Sequence, residues 1–204
     1  HFAIRRQRQM CIRDSSKDRI NLISENLSSK DLYVLEIGVH KGDFSKQLAN
    51  NLDPKKLILV DPWIAYDDEV YSNSWYGKSS ISNQVIQDQY FLDIKKYFEN
   101  EIRLETVEVH RKTSDEFFDQ NQLKFDLIYI DGNHLFDFVI RDITNSLNFI
   151  NRDGIIVLDD YGVAGWWNDG ITKAVNFFIK KNSIKIIRKH SLFDYHNQCI
   201  IKKI

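Results

Sequence analysis

Four short runs of β-forming residues in this chain each end in an acid, and each leads into a helical pattern. Leu32-Tyr33-Val34-Leu35 with Ile37 carries Glu36 near its end, and Leu57–Val60 stops at Asp61. Phe125–Ile130 stops at Asp131, and Gly154–Leu158 stops at Asp159 and Asp160. Residues at helical spacing, nearly all apolar, fill the intervals: Ile20, Ile23 and Leu27; Phe44, Leu48 and Leu52; Val85, Ile86, Tyr90, Ile94, Tyr97 and Phe98; Leu135, Phe138, Val139, Asp142, Leu147 and Ile150. A strand near 104–109, a short helix over 114–119, a helix over 171–181 and two last strands near 184–189 and 197–203 complete the reading. Strands alternating with helices predict an α/β fold, a doubly wound and mostly parallel sheet with helices on both faces. In such sheets a ligand lies beyond the carboxyl ends of the strands, where the strand order reverses. One acid at a strand end is most often a cap or a solvated turn residue. Four such ends bring their acids to one rim.

The sharpest local signal is LEIGVHKGDFS, residues 35–45, which reads as a buried strand, a glycine turn and a helix start. Glycine tolerates positive φ and lets a ligand approach the backbone, and the new helix offers unpaired N–H groups there. The spacing is E-x-G-x-x-x-G, from Glu36 through Gly38 to Gly42, and it lacks the G-x-G-x-x-G of a dinucleotide fingerprint. Asp61 follows Gly38 by 23 residues, where a carboxylate accepts hydrogen bonds from both ribose hydroxyls of a nucleoside cofactor. That geometry serves NAD and S-adenosylmethionine alike; the absent glycine counts against NAD.

The chain has 28 basic and 29 acidic residues in 204, a formal net charge of -1, which argues against a nucleic-acid partner. No apolar run approaches the roughly 20 residues of a membrane span. With only Cys11 and Cys199, a cytoplasmic protein without a disulfide scaffold is expected. Residues 1–15 are basic and polar, unlike a signal peptide, and Met10–Ser15 resembles a translated sequencing adapter. They are expected to be non-native or disordered, leaving 16–204 as a single domain. Residues 62–83, with Trp63, Tyr66, Tyr71, Trp75 and Tyr76, read as an insertion or lid on the ligand side, joined there by Trp166 and Trp167. Packing of these aromatics onto the sheet is favoured over direct contact with a substrate.

Two further motifs, YIDGNHLF at 129–136 and IIVLDDYG at 155–162, follow the fourth and fifth strands. With the glycine loop they make the chain resemble class I S-adenosylmethionine-dependent methyltransferases, most closely a bacterial group with DGxHxY and DDY-like motifs that is similar to sugar and antibiotic O-methyltransferases. The resemblance covers about 30 to 204 and implies a seven-stranded sheet whose last strand is antiparallel. It implies that Glu36, Gly38 and Gly42 border the cofactor, that Asp61 holds the ribose, and that Thr113 and Ser114 lie near the adenine. Phe136 stands where the group more often has tyrosine.

Methyl transfer is an in-line displacement that aligns acceptor, methyl and sulfur without a covalent enzyme intermediate. A hydroxyl acceptor needs a base or a metal to lower its proton affinity. His134 is the candidate general base, with Asp131 beside the reacting groups. Asp131, Asp159 and Asp160 on adjacent strands would repel one another and raise their own pKa values unless a cation joined them, and hard oxygen donors favour Mg²⁺. The competing reading makes Asp131 and Asp160 helix and loop caps, and His134 a helix-start residue bonded to the next loop. The expected function is methylation of a hydroxyl on a small molecule or saccharide, with homo-oligomerisation compatible. A nicotinamide-dependent oxidoreductase and a non-catalytic nucleoside-binding module are the alternatives.

Overall fold

The computed structural model describes residues 19–28, 31–78, 83–163, 165–190 and 197–204. The expectation for residues 1–15 lies outside them. Helix α1 is described over 19–24. Then follow β1 (Tyr33–Ile37), α2 (Asp43–Leu52), β2 (Lys56–Asp61), α3 (Gln84–Tyr97), α4 (Glu99–Arg103), β3 (Val107–Arg111), α5 (Ser114–Gln120), β4 (Phe125–Ile130), α6 (Phe136–Phe149), β5 (Ile150–Leu158), α7 (Gly170–Lys180), β6 (Ile184–His190) and β7 (Gln198–Lys203). The strands form one seven-stranded sheet in the order β3-β2-β1-β4-β5-β7-β6. Only β7 is antiparallel to its neighbours. The strand order reverses between β1 and β4, the place where α/β sheets open a ligand crevice.

Each strand divides its residues between two cores because successive side chains point to opposite faces. Leu35, Ile37, Ile58, Val60, Ile128, Ile130, Ile156 and Leu158 pack with Phe117 of α5, Val139 and Ile143 of α6 and Val175 of α7. Val34, Leu57, Leu59, Leu127, Tyr129, Ile155 and Val157 pack with Ile20 and Ile23 of α1, Phe44 and Leu48 of α2 and Ile94 of α3. Glu36 and Asp61 share the parity of this second set, and the alternation carries on to Asp131 and Asp159. The four acids therefore lie toward the α1–α3 side of one rim.

The reading of 104–109 as the third strand is corrected to Val107–Arg111. Leu104 is 68% exposed and caps the short helix α4, and Glu105 turns the chain at φ +59. A five-residue helix carries too little periodicity to be seen in sequence. Val85 of α3, assigned there to the apolar face, is 77% exposed, while Gln87 is buried on the face that Ile94 and Phe98 share.

The segment after β2 packs onto the sheet. Trp63 is fully buried, and its Nε1 donates to the His40 carbonyl at 2.9 Å. Tyr66, Tyr71, Tyr76 and Trp166 form one aromatic cluster with centroids 5.1 to 6.1 Å apart. The Tyr71 hydroxyl accepts from Asn133 Nδ2 at 3.0 Å, tying this segment to the loop after β4. Trp75 alone among these aromatics is largely exposed, at 71%.

Candidate functional site

The glycine loop joins β1 to α2. Gly38 (φ +89), His40 (φ +50) and Gly42 (φ +72) all occupy the left-handed region. A Cβ on Gly38 would overlap the backbone of Asp131 and Gly132, and one on Gly42 would overlap Ile94 of α3. The glycines thus make room for close packing of the chain on itself. Helix α2 starts without a side-chain cap, so its first N–H groups remain open.

Asp61 organises this loop. Val39 N–H and His40 N–H donate to its Oδ2 at 2.9 and 3.0 Å, and Trp63 N–H donates to Oδ1 at 2.7 Å. A carboxylate has about four acceptor positions, and three of them take these backbone bonds. Burial pushes its carboxyl up against the opposing pull of those three bonds. Glu36 is 1% exposed and accepts from Ser45 Oγ of α2. Burial holds its carboxyl well above the usual range, with the charges of Asp131 and Asp61 adding to the effect. His40, a histidine on that loop, is lowered to about 4 by burial and by Lys41, consistent with backbone support and not catalysis.

His134 is set between two carboxylates. Its Nε2 lies 3.3 Å from Asp131 Oδ1 and its Nδ1 lies 3.6 Å from Asp160 Oδ2. Burial works against the imidazolium, but the hydrogen bond and charge of Asp131, joined by Asp160 and Asp159, leave the pKa raised. Trp167 meets the imidazole edge-on at 4.9 Å. Helix α6 has no side-chain cap; Asn133 Oδ1 instead accepts from Leu135 N–H at 3.1 Å. Asp131 is therefore not the cap of α6.

Asp159 is 5% exposed, and its Oδ2 accepts from Arg19 Nη1 at 2.7 Å, while its Oδ1 is buried without a partner. Burial and the charge of Asp131 push Asp159 up, and the same two causes raise Asp160 to about 6. Asp131, Asp159 and Asp160 offer hard oxygen donors of the kind that Mg²⁺ takes, and one Asp159 oxygen is buried without a partner. Among the described residues, no three acidic, histidine or cysteine side chains already converge in a metal-ready arrangement.

Thr113 and Ser114 lie at the start of α5. Thr113 closes a capping box with Glu116, which engages its hydroxyl within the helix start. Ser114 Oγ donates to Asp142 Oδ1 of α6. The sequence placed Asp142 in this helix, but its burial on the inward face and its pairing with Ser114 were not legible there. It is 3% exposed and raised to about 7, chiefly by burial. Because the folded state holds this proton more tightly than the unfolded chain, stability falls as pH rises from about 4 to 7. Asp142→Asn should gain on the wild type over that window, by up to about 4 kcal/mol. Urea denaturation of both proteins at pH 5 and pH 8 measures it; parallel pH profiles would contradict it.

Arg19, Tyr129 and Gln198 join the rim from beneath. Arg19 Nη1 also reaches the Tyr129 hydroxyl at 3.4 Å, and Gln198 Nε2 donates to that hydroxyl at 2.9 Å. No spacing rule connects positions 19, 129, 159 and 198, so only the fold reveals them.

Residues 35–161, more than half of the chain, match the sequence profile of a family described as methyltransferase domain. A protein of Acanthamoeba polyphaga mimivirus is 28% identical over 158 residues, which cover 76% of this chain; the chain spans 64% of that relative's length. The O-methyltransferase TomG of Streptomyces achromogenes, involved in tomaymycin synthesis and solved with S-adenosylmethionine, superposes with a TM-score of 0.58. It is 13% identical, over 85% of this chain and 74% of its own. An rRNA methylase of Streptococcus thermophilus superposes at 0.59, with 10% identity over 90% of this chain and 93% of its own. At these identities the structures share the fold. The profile match favours the methyltransferase reading over the oxidoreductase one, and the chain belongs to the family described as methyltransferase domain.

Proposed function

We infer that this methyltransferase acts on a hydroxyl of a small molecule or saccharide in the cytoplasm. The observation that carries this reading is His134, held at the rim between Asp131 and Asp160 beside the glycine loop. An imidazole in that place suits removal of a hydroxyl proton. The acceptor oxygen attacks the methyl carbon, the sulfur–methyl bond breaks, the acceptor proton passes to His134, and S-adenosylhomocysteine leaves. Asp61, Gly38 and Gly42 frame the adenosyl side, Glu36 supports α2 through Ser45, and Thr113 and Ser114 bound the adenine end. The balanced charge of -1 favours a small acceptor over RNA. The described part of the segment after β2, residues 62–78, with Trp166 and Trp167, would roof the acceptor side.

Asp131, Asp159 and Asp160 would hold a divalent cation, which supplies Lewis-acid stabilisation of the acceptor alkoxide. The test is a methyl-transfer screen of sugar, nucleotide-sugar and phenolic acceptors, with Mg²⁺ and with a chelator. Transfer to a hydroxyl acceptor that falls on chelation is expected. Transfer confined to amine or RNA acceptors would overturn the acceptor class, and transfer indifferent to chelation would remove the cation.

A further inference from the structure

We propose that Arg19 binds the carboxylate of the amino-acid half of S-adenosylmethionine through its Nε–Nη2 edge, with Asp131 facing the ammonium. The assignment rests on the cofactor reading above and adds a residue that lies outside the matched segment 35–161.

Arg19 is 9% exposed, and α1 brings it to the same sheet face as Glu36, Asp131 and Asp159. Its guanidinium lies 4.6 Å from the ring centroid of Phe44, the second residue of α2, which places it beside the glycine loop. A guanidinium carries five N–H donors. Those engaged here are all on Nη1, which holds Asp159 and reaches the Tyr129 hydroxyl. Nε is buried without a partner, and Nη2 donates to no described residue. The unused pair is the edge that grips a carboxylate through two parallel bonds, a geometry that an ammonium cannot reproduce.

The surroundings select the ligand. Asp159 fixes the guanidinium from one side and leaves a net positive edge on the other. Glu36 is engaged instead by Ser45 of α2. Asp131 follows β4, and its side chain is 34% exposed, so it can meet an ammonium. One positive fork with one carboxylate beside it matches a zwitterion, which a phosphate or a simple carboxylate ligand does not. The span also fits. Asp61 ends β2, and Arg19 sits against the residue after β5, three strand spacings away in the order β2-β1-β4-β5. At about 4.8 Å per spacing this is about 14 Å, the reach of an adenosyl group with its extended amino-acid arm.

The experiment is calorimetric titration with S-adenosylhomocysteine and with 5′-methylthioadenosine, which keeps the adenosyl thioether and lacks the amino acid. Arg19→Met should weaken S-adenosylhomocysteine by about 10- to 100-fold, the loss expected for charge-assisted hydrogen bonds, and leave 5′-methylthioadenosine unchanged. Arg19→Lys should fall between, because an ammonium restores charge without the fork. Equal losses for both ligands, or no loss for either, would overturn the proposal by reducing Arg19 to a support for Asp159. If Arg19→Met does not fold, decarboxylated S-adenosylhomocysteine on the wild type decides: binding as tight as the parent compound overturns the proposal, and a loss of about the same size upholds it. Absence of S-adenosylhomocysteine binding to the wild type would be a separate failure, of the cofactor reading itself, and would take the Arg19 assignment with it.

Discussion

Replacement of His134 by alanine is expected to slow methyl transfer by about 10²- to 10⁴-fold, the range for loss of a positioned general base. The binding of S-adenosylhomocysteine should be nearly unchanged, because the imidazole faces Asp131 and Asp160 and makes no bond to the glycine loop. His134→Gln keeps a similar shape without a titrating group and should be nearly as slow, which separates proton transfer from packing against Trp167. The wild-type rate should climb with pH as the imidazolium loses its proton. The climb should begin above the ordinary histidine value, since the acids around His134 raise its pKa. In the two variants this limb should disappear. Single-turnover rates and titrations, run side by side, measure all of this; a His134→Ala enzyme that keeps its rate would remove the base.

Gly38→Ala should be the most damaging single substitution for folding. The position sits at φ +89, which costs a residue with a Cβ about 1–2 kcal/mol. The new methyl would also run into the Asp131 carbonyl and the Gly132 nitrogen. These are backbone atoms of the loop after β4, anchored where Asp131 N–H donates to the Ile37 carbonyl at 2.8 Å, so they cannot swing aside as a side chain does. Overpacking adds about 1–3 kcal/mol, for a total of about 2–5 kcal/mol. Relief would require β1 and β4 to part at the switch point, moving Asp131 and His134 together. Thermal unfolding should therefore shift strongly, and any folded fraction should lose methyl transfer. Gly42→Ala should be milder, because its methyl would meet the flexible end of Ile94. Equal stability of Gly38→Ala and wild type would show that the two loops are not locked together.

The acids at the strand ends were readable in the sequence because the pattern is local. β-formers fix the strand, the strand fixes which way each side chain points, and the chain must turn at its end. Glu36, Asp61, Asp131 and Asp159 therefore reached one rim as expected, and the last two strands paired antiparallel. The partners of those acids were not readable. Arg19 meets Asp159 across 140 positions, and Ser114 meets Asp142 across 28. Nothing in local spacing encodes either pair, since both arise from which helix covers which face. The same holds for the glycines and for Asp61. Sequence marked them correctly as loop elements, but only the packed chain shows that Gly38 makes room for its own backbone and that three of its own N–H groups occupy Asp61. Local periodicity thus determined the sheet and its acidic rim, and tertiary packing decided which of those acids are buried and which are paired.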